Sequence, residues 1–186
     1  MNYVKVPQDN WYRLINHGPT VMVSTRDKDG VYNIAPIAWS SPVQKNPAKL
    51  VAVIGRRHKT YKNIIETGEF AVCVPHVSQT KLVRQTGKST GDEIRKFDEF
   101  NIQAFPANDV DILVPDGCVG FIECRLSNRS QQEKVDIIVG EVISASALEA
   151  VFADRLLVEK PEAKTLHHLG GSLFAAPENS LLNFDD

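Results

Sequence analysis

The stretch LVAVIGRRHKTYKNIIETGEFAVCVP, residues 50–75, sets two apolar runs on either side of a dense cluster of cations. Residues 50–54 are apolar and rich in valine and isoleucine, a composition that suits a pleated, half-buried strand, and the run stops at Gly55. Arg56, Arg57, His58 and Lys59 follow, and residues 70–75 read as the second strand. Between them Thr60 is a preferred helix N-cap, Asn63 stands three positions on where a capping-box partner belongs, and Gly68 fits a C′ stop. Strand end, basic turn and helix start therefore coincide. The first turn of a helix presents backbone N–H groups without internal partners, and the helix dipole adds positive potential, so a phosphate suits the place. Arg56, Arg57 and Lys59 would add charge-assisted hydrogen bonds. The plainer reading of the same residues is a solvated basic turn with an ordinary cap.

Upstream, Asp27-Lys28-Asp29-Gly30 separates two short apolar runs, 21–25 and 31–34, and suits a hairpin turn that needs positive φ. Residues 10–17 predict a short helix with Trp11, Leu14 and Ile15 on one side. In NIAPIAWSSPVQKNP, residues 33–47, Pro36, Pro42 and Pro47 interrupt any regular ladder, which predicts a loop over a cleft. Trp39 offers a flat apolar surface there, and Ser40 and Ser41 offer small hydroxyls; a structural crossing with a core tryptophan is the alternative.

Downstream, residues 78–86 predict a helix with Leu82 and Val83 facing inward. GKSTGDEIRKFDEFN, residues 87–101, reads as an exposed turn and a short helix carrying Ile94 and Phe97, with Asp92, Glu93, Arg95 and Lys96 as a solvated face. Residues 102–115 look irregular. In 119–127 the alternation returns, with Ile122, Cys124 and Leu126 on one face and Phe121, Glu123 and Arg125 on the other. A polar loop leads to a strand over 135–145, where Gly140 implies a bulge or a close backbone approach. Residues 150–157 suggest a helical piece, and in HHLGGSLF, residues 167–174, Gly170 and Gly171 permit a tight turn that either brings His168 and Phe174 to a ligand or ties down the terminus. Hairpin-joined strands with short helices between them indicate a mainly β, mostly antiparallel barrel or sandwich. With 186 residues and no internal repeat, a single domain spanning residues 1–186 is expected.

The formal net charge of -2 gives no basic field for nucleic acid. Three cysteines without CxxC spacing read as small buried hydrophobes in a reducing compartment, and the histidines show no zinc spacing. No signal-peptide core and no 18-residue apolar run is present, so a cytoplasmic protein with no membrane partner is expected.

Four ordered segments, 33–47, 53–75, GDEIRKF at 91–97 and HHLGGSLF at 167–174, resemble the flavin reductase-like, FMN-binding split-barrel family, of the flavoredoxin type. The resemblance implies a six-stranded antiparallel Greek-key split barrel that forms a homodimer and binds FMN non-covalently at the subunit interface. It places Asn33, Ala35, Pro36, Trp39, Ser40 and Ser41 along the isoalloxazine and ribityl chain. The motif beginning at Gly55 would take the phosphate through Arg56, Lys59 and Thr60, with Asn63 steadying Thr60. Lys96 would reach in from the partner subunit, and His168, with Gly170 and Phe174, would close the site. The implied activity is that of an FMN-dependent oxidoreductase, with electrons from NAD(P)H or a redox protein passing to free flavin or another acceptor. One departure bears on this: the family often carries a histidine five residues before a Gly-Glu-Val, and here that position is Val135. A flavin-binding carrier or sensor without NAD(P)H oxidation is therefore the competing reading. No GxGxxG fingerprint occurs, so a nicotinamide donor would bind transiently over the flavin.

Overall fold

In the computed structural model, which describes residues 18–178, the two apolar runs of the opening stretch are strands β4 (Ala48–Gly55) and β5 (Glu69–Pro75), separated by helix α1 (Lys59–Thr67). The hairpin predicted around Asp27 is present. It joins β1 (Val21–Arg26) to β2 (Tyr32–Ile37), and the Asp27 carboxylate accepts the N–H groups of Asp29 and Val31 to hold the turn. The helix expected at residues 10–17 lies outside the described residues.

Residues 33–47 are not a loop. They form β2 and then β3 (Ser40–Lys45), and the prolines show why both the expectation and the outcome make sense. Pro36 and Pro42 sit on strands that pair with one neighbour each, where a missing N–H is tolerated. Long strands β8 (Cys118–Gln131) and β9 (Val135–Ala147) complete an antiparallel sheet in the order β2-β1-β5-β8-β9-β4-β3. The two edges of that order are continuous in sequence through Ala38 and Trp39, and the Trp39 carbonyl accepts the Val53 N–H at 2.9 Å. The chain thus crosses from one edge to the other and rolls the sheet into a barrel. Counted as one interrupted strand, β2 and β3 make the seven strands the six that the resemblance implied.

Alternation fixes two cores. Val23, Leu50, Ala52, Ile54, Phe70, Val72, Cys124 and Ile138 fill the inner face of the sheet, with Tyr61 and Ile64 of α1 packed among them. Met22, Ile34, Ala71 and Cys73 point the other way, against Val83 of helix α2 (Thr80–Lys88) and against Ile112 and Val114 of the 102–115 segment. Both faces of β5 are therefore buried. The 102–115 segment carries the short strands β6 (Ala104–Pro106) and β7 (Leu113–Pro115), and it buries Glu123, whose carboxylate accepts the N–H groups of Asp109 and Val110 and the Ser144 hydroxyl. Gly140 marks a close approach: a Cβ there would lie 2.5 Å from Phe70 Cζ. The pairing with β8 shifts twice nearby, through one extra residue on β8 (Ser127) and one on β9 (Ile143).

Three smaller expectations change. Helix α1 begins two residues earlier than predicted, with His58 in place of Thr60 as its N-cap and Thr60 inside the first turn; Gly68 ends it in the left-handed conformation, as expected. The helix over 150–157 is only a single turn, Glu149–Val151. Residues 167–174 form a hairpin of β10 (His167–Gly170) and β11 (Leu173–Ala175). The three cysteines are free and buried. Among the described residues no helix is long and apolar enough to cross a membrane.

Candidate functional site

Strand β2, the start of α1 and the end of α2 converge on two adjoining cavities that share Pro36 and Gly87. The polar one, about 120 Å³, is lined by Asn33, Lys59, Thr60, Ser89, Thr90 and Lys96, among others. The apolar one, about 360 Å³, lies between Pro36 and Ala38 on one side, Val83 of α2 on another, and His168 and Phe174 of the terminal hairpin.

The polar cavity is built by a short chain of bonds. Asn33 donates from Nδ2 to Thr60 Oγ1 at 3.0 Å, which leaves the Thr60 hydroxyl hydrogen available to a ligand. Asn33 Oδ1 is buried without a hydrogen-bond partner. The loop after α2 reaches Asn33 only because residue 91 is glycine, since a Cβ there would sit 2.2 Å from Asn33 Oδ1. Lys59 points its ammonium at Asp27 Oδ2, 2.8 Å away. Burial opposes ionisation of Asp27, but Lys59 and the two turn N–H groups outweigh it and hold the carboxyl below its ordinary range.

Lys96 is the largest departure from the sequence reading. Expected on a solvated face, or reaching in from a partner subunit, it opens helix α3 (Lys96–Glu99) and is 3% exposed. It lines the polar cavity of its own chain, and its ammonium donates to the carbonyls of Ile34, at 3.0 Å, and Thr86, at 2.7 Å. Burial lowers its pKa to about 8. His58, at the rim, is held below the ordinary histidine range by burial first and by the charges of Arg57 and Lys96 next.

Arg56 is placed elsewhere. Its Nε bonds to Asp136 Oδ1 at 2.6 Å and its terminal nitrogen to the Gln132 carbonyl, and it lines neither cavity. Asn63 does not steady Thr60; one turn further along α1, it donates to Thr25 Oγ1 of β1 at 3.1 Å. Gly55 abuts the His58 ring. Ala35 lines the polar cavity beside Asn33 and Pro36, whereas Ser40 and Ser41 border a separate apolar groove of about 640 Å³ with Val21, Leu50, Val72 and Leu156. Trp39 is 49% exposed and lines none of these cavities. His168 stacks on Phe174 with ring centres 5.1 Å apart. Thr20 Oγ1, on the apolar cavity, is buried without a partner.

Four lining residues were not expected at the site: Thr86, read as the end of a helix, and Ser89, Thr90 and Gly91, read as part of an exposed turn. The signal was there: TGKSTG, residues 86–91, packs small hydroxyls and glycines just past a helix, which lets backbone and side-chain donors approach one anion.

Two buried acceptors without partners, cations at one end and an apolar slot at the other suit an elongated ligand with an anionic tail and a flat ring. The family model described as the flavin reductase like domain matches residues 13–167. The uncharacterized protein YddH of Escherichia coli is 35% identical over 169 residues, covering 87% of this chain and 88% of that one. An FMN-binding domain of a flavin reductases-like enzyme from Shewanella baltica superposes with a TM-score of 0.81 at 29% identity, over 97% of this chain and 96% of that one. Flavoredoxin of Desulfovibrio vulgaris (Miyazaki F) shares the fold, with a TM-score of 0.80 at 20% identity over 89% of each chain.

Proposed function

Because the chain belongs to the flavin reductase-like domain family, we propose that its two joined cavities hold FMN non-covalently and that the protein is an oxidoreductase. Electrons from NAD(P)H or a redox protein pass through the bound flavin to free flavin or another acceptor. The observation that carries this reading is the pairing of a cationic cavity, with Asn33 Oδ1 unsatisfied, and an apolar slot with Thr20 Oγ1 unsatisfied.

In this reading Lys59, Lys96, Thr60, Ser89 and Thr90 take the phosphate, at the start of α1 where the helix dipole helps. Asn33 Oδ1 accepts a hydrogen bond from the ligand, and Pro36, Ala38, Val83 and Phe174 bracket the ring. Arg56, Gly55 and Asn63 act on the cofactor only through the shape of the turn and helix. FMN, when bound, supplies the two-electron chemistry; the protein supplies orientation and a dry wall.

Trp39, Ser40 and Ser41 belong to a different surface. With Val43, 52% exposed, and the apolar groove beside β3 and β4, they support a homodimer through this face. Sedimentation at twice the chain mass is the expected result. The second reading, an electron carrier that does not oxidise NAD(P)H, is favoured by Val135, which occupies the position where the resemblance expects a histidine and pairs with Gly55.

The purified protein is expected to be yellow, and anaerobic mixing with NADH or NADPH to bleach the flavin band. A protein that neither carries nor takes up flavin would sink the whole proposal. If only a reduced redox protein bleaches the band, the carrier reading holds. The double substitution Lys59→Ala and Thr60→Ala is expected to weaken FMN by at least about tenfold, with riboflavin affected far less. Unchanged FMN affinity would show that the phosphate lies elsewhere.

A further inference from the structure

Helix α2 carries three basic residues, Lys81, Arg84 and Lys88, and no acidic one, in a chain whose net charge is -2. Their spacing puts them along one side of the helix over about 10 Å. They line a groove of about 330 Å³ with Thr80 and Gln85, and two of them, Arg84 and Lys88, also line the apolar cavity. The groove therefore runs directly out of the slot assigned to the flavin ring. None of the three side chains makes an ion pair or hydrogen bond among the described residues. Nearby cations behave differently: Arg26 pairs with Asp111, Lys59 with Asp27 and Lys62 with Asp92.

We propose that this cationic ridge binds the 2′-phosphate of NADPH and makes the protein selective for NADPH over NADH. The inference rests on the reading of the apolar cavity as the flavin slot. Three charges with no internal partner, set at the exit of that slot, match an anionic ligand that must lie across it. A small ligand fits better than an acidic protein, which needs roughly 800 Å² of its own surface to dock stably. The absence of a carboxylate on α2 separates the two nucleotides: NAD recognition commonly uses an acidic residue on the ribose 2′-hydroxyl, whereas a 2′-phosphate calls for arginine or lysine. Arg84, with its planar fork of donors, is the residue assigned to the phosphate, and Lys81 and Lys88 supply the surrounding field.

Calorimetric titration of the FMN-loaded protein with NADP+ and NAD+ tests the ridge without needing turnover. NADP+ is expected to bind at least about tenfold tighter than NAD+, in line with one charge-assisted contact. Arg84→Gln combined with Lys81→Gln should bring NADP+ down to the NAD+ level and leave NAD+ unchanged, while Arg84→Lys keeps part of the preference. Equal affinities in the unsubstituted protein, no binding of NADP+, or equal weakening of both nucleotides in the double variant would overturn the proposal. Anaerobic mixing with NADPH separates the two readings. If NADP+ binds through the ridge and NADPH leaves the flavin oxidised, NAD(P)H oxidation fails and the ridge stands.

Discussion

At Lys96 a single side chain changes from an assumed surface charge to a buried ammonium held by two carbonyls. Burial lowers its pKa to about 8, so the folded protein favours the neutral amine more than the unfolded chain does. The protonated form is the one that attracts a phosphate. FMN affinity is therefore expected to be level between about pH 7, where the phosphate is already a dianion, and pH 8, and to fall above it, by up to about tenfold per pH unit, until the bound complex loses the same proton. Fluorescence titration of FMN between pH 6 and 10 measures this. Riboflavin, which lacks the phosphate, should show no such fall, and Lys96→Met should abolish it for FMN. A pH-independent FMN affinity in the unsubstituted protein would remove Lys96 from the phosphate site. Lys96 and Arg56 also show what was not legible in the sequence. Each is a cation beside a promising motif, and the partners that sort them are distant in sequence: Asp136 for Arg56, Ile34 and Thr86 for Lys96.

Among the elements, β9 is legible in the sequence, β2 only as far as Ile34, and β3 not at all. Periodicity marked β9, and Gly140 announced a close approach that turned out to be the Phe70 ring. Pro36 and Pro42 hid the rest of β2 and all of β3, because local composition does not reveal which strands lie at an edge. Gly140→Ala is expected to destabilise the protein by about 1–3 kcal/mol, since Phe70 and Cys124 are fully buried and cannot easily yield. Urea denaturation would show a lower midpoint with an unchanged slope. In a Phe70→Leu background the same substitution should be milder, because the ring that blocks the new methyl is gone. An effect of equal size in both backgrounds would place the strain elsewhere.

At the scale of the molecule, the barrel was legible because its signals are local: hairpin turns, strand period and the capping glycine. What clamps one end of it was not. Asp136, fully buried at the start of β9, accepts at Oδ1 from Arg56 after β4 at 2.6 Å and at Oδ2 from the Tyr61 hydroxyl of α1 at 2.9 Å, and Arg129 of β8 lies 3.8 Å from Oδ2. One carboxylate thus joins three strands and a helix. Burial acts to raise its pKa, yet Arg56 and Tyr61 hydrogen bonds and the arginine charges prevail and hold it below the ordinary carboxylate value. Because the folded pKa is depressed, the unfolded chain takes up a proton at about pH 4, before the folded protein does. The stabilisation is complete at neutral pH, begins to fade near pH 4 and is lost once the pH falls through the folded value. Asp136→Asn removes the charge while keeping a hydrogen-bonding shape, and it leaves Arg56 and Arg129 facing each other without an anion. Its melting temperature is expected to fall by several degrees at pH 7. The gap from the unsubstituted protein should narrow steadily as the pH drops below 4, because protonation brings that protein to the same state. Parallel melting curves from pH 3 to pH 7 would decide it: a gap that stays constant across the range would mean the Asp136 charge does not clamp the barrel.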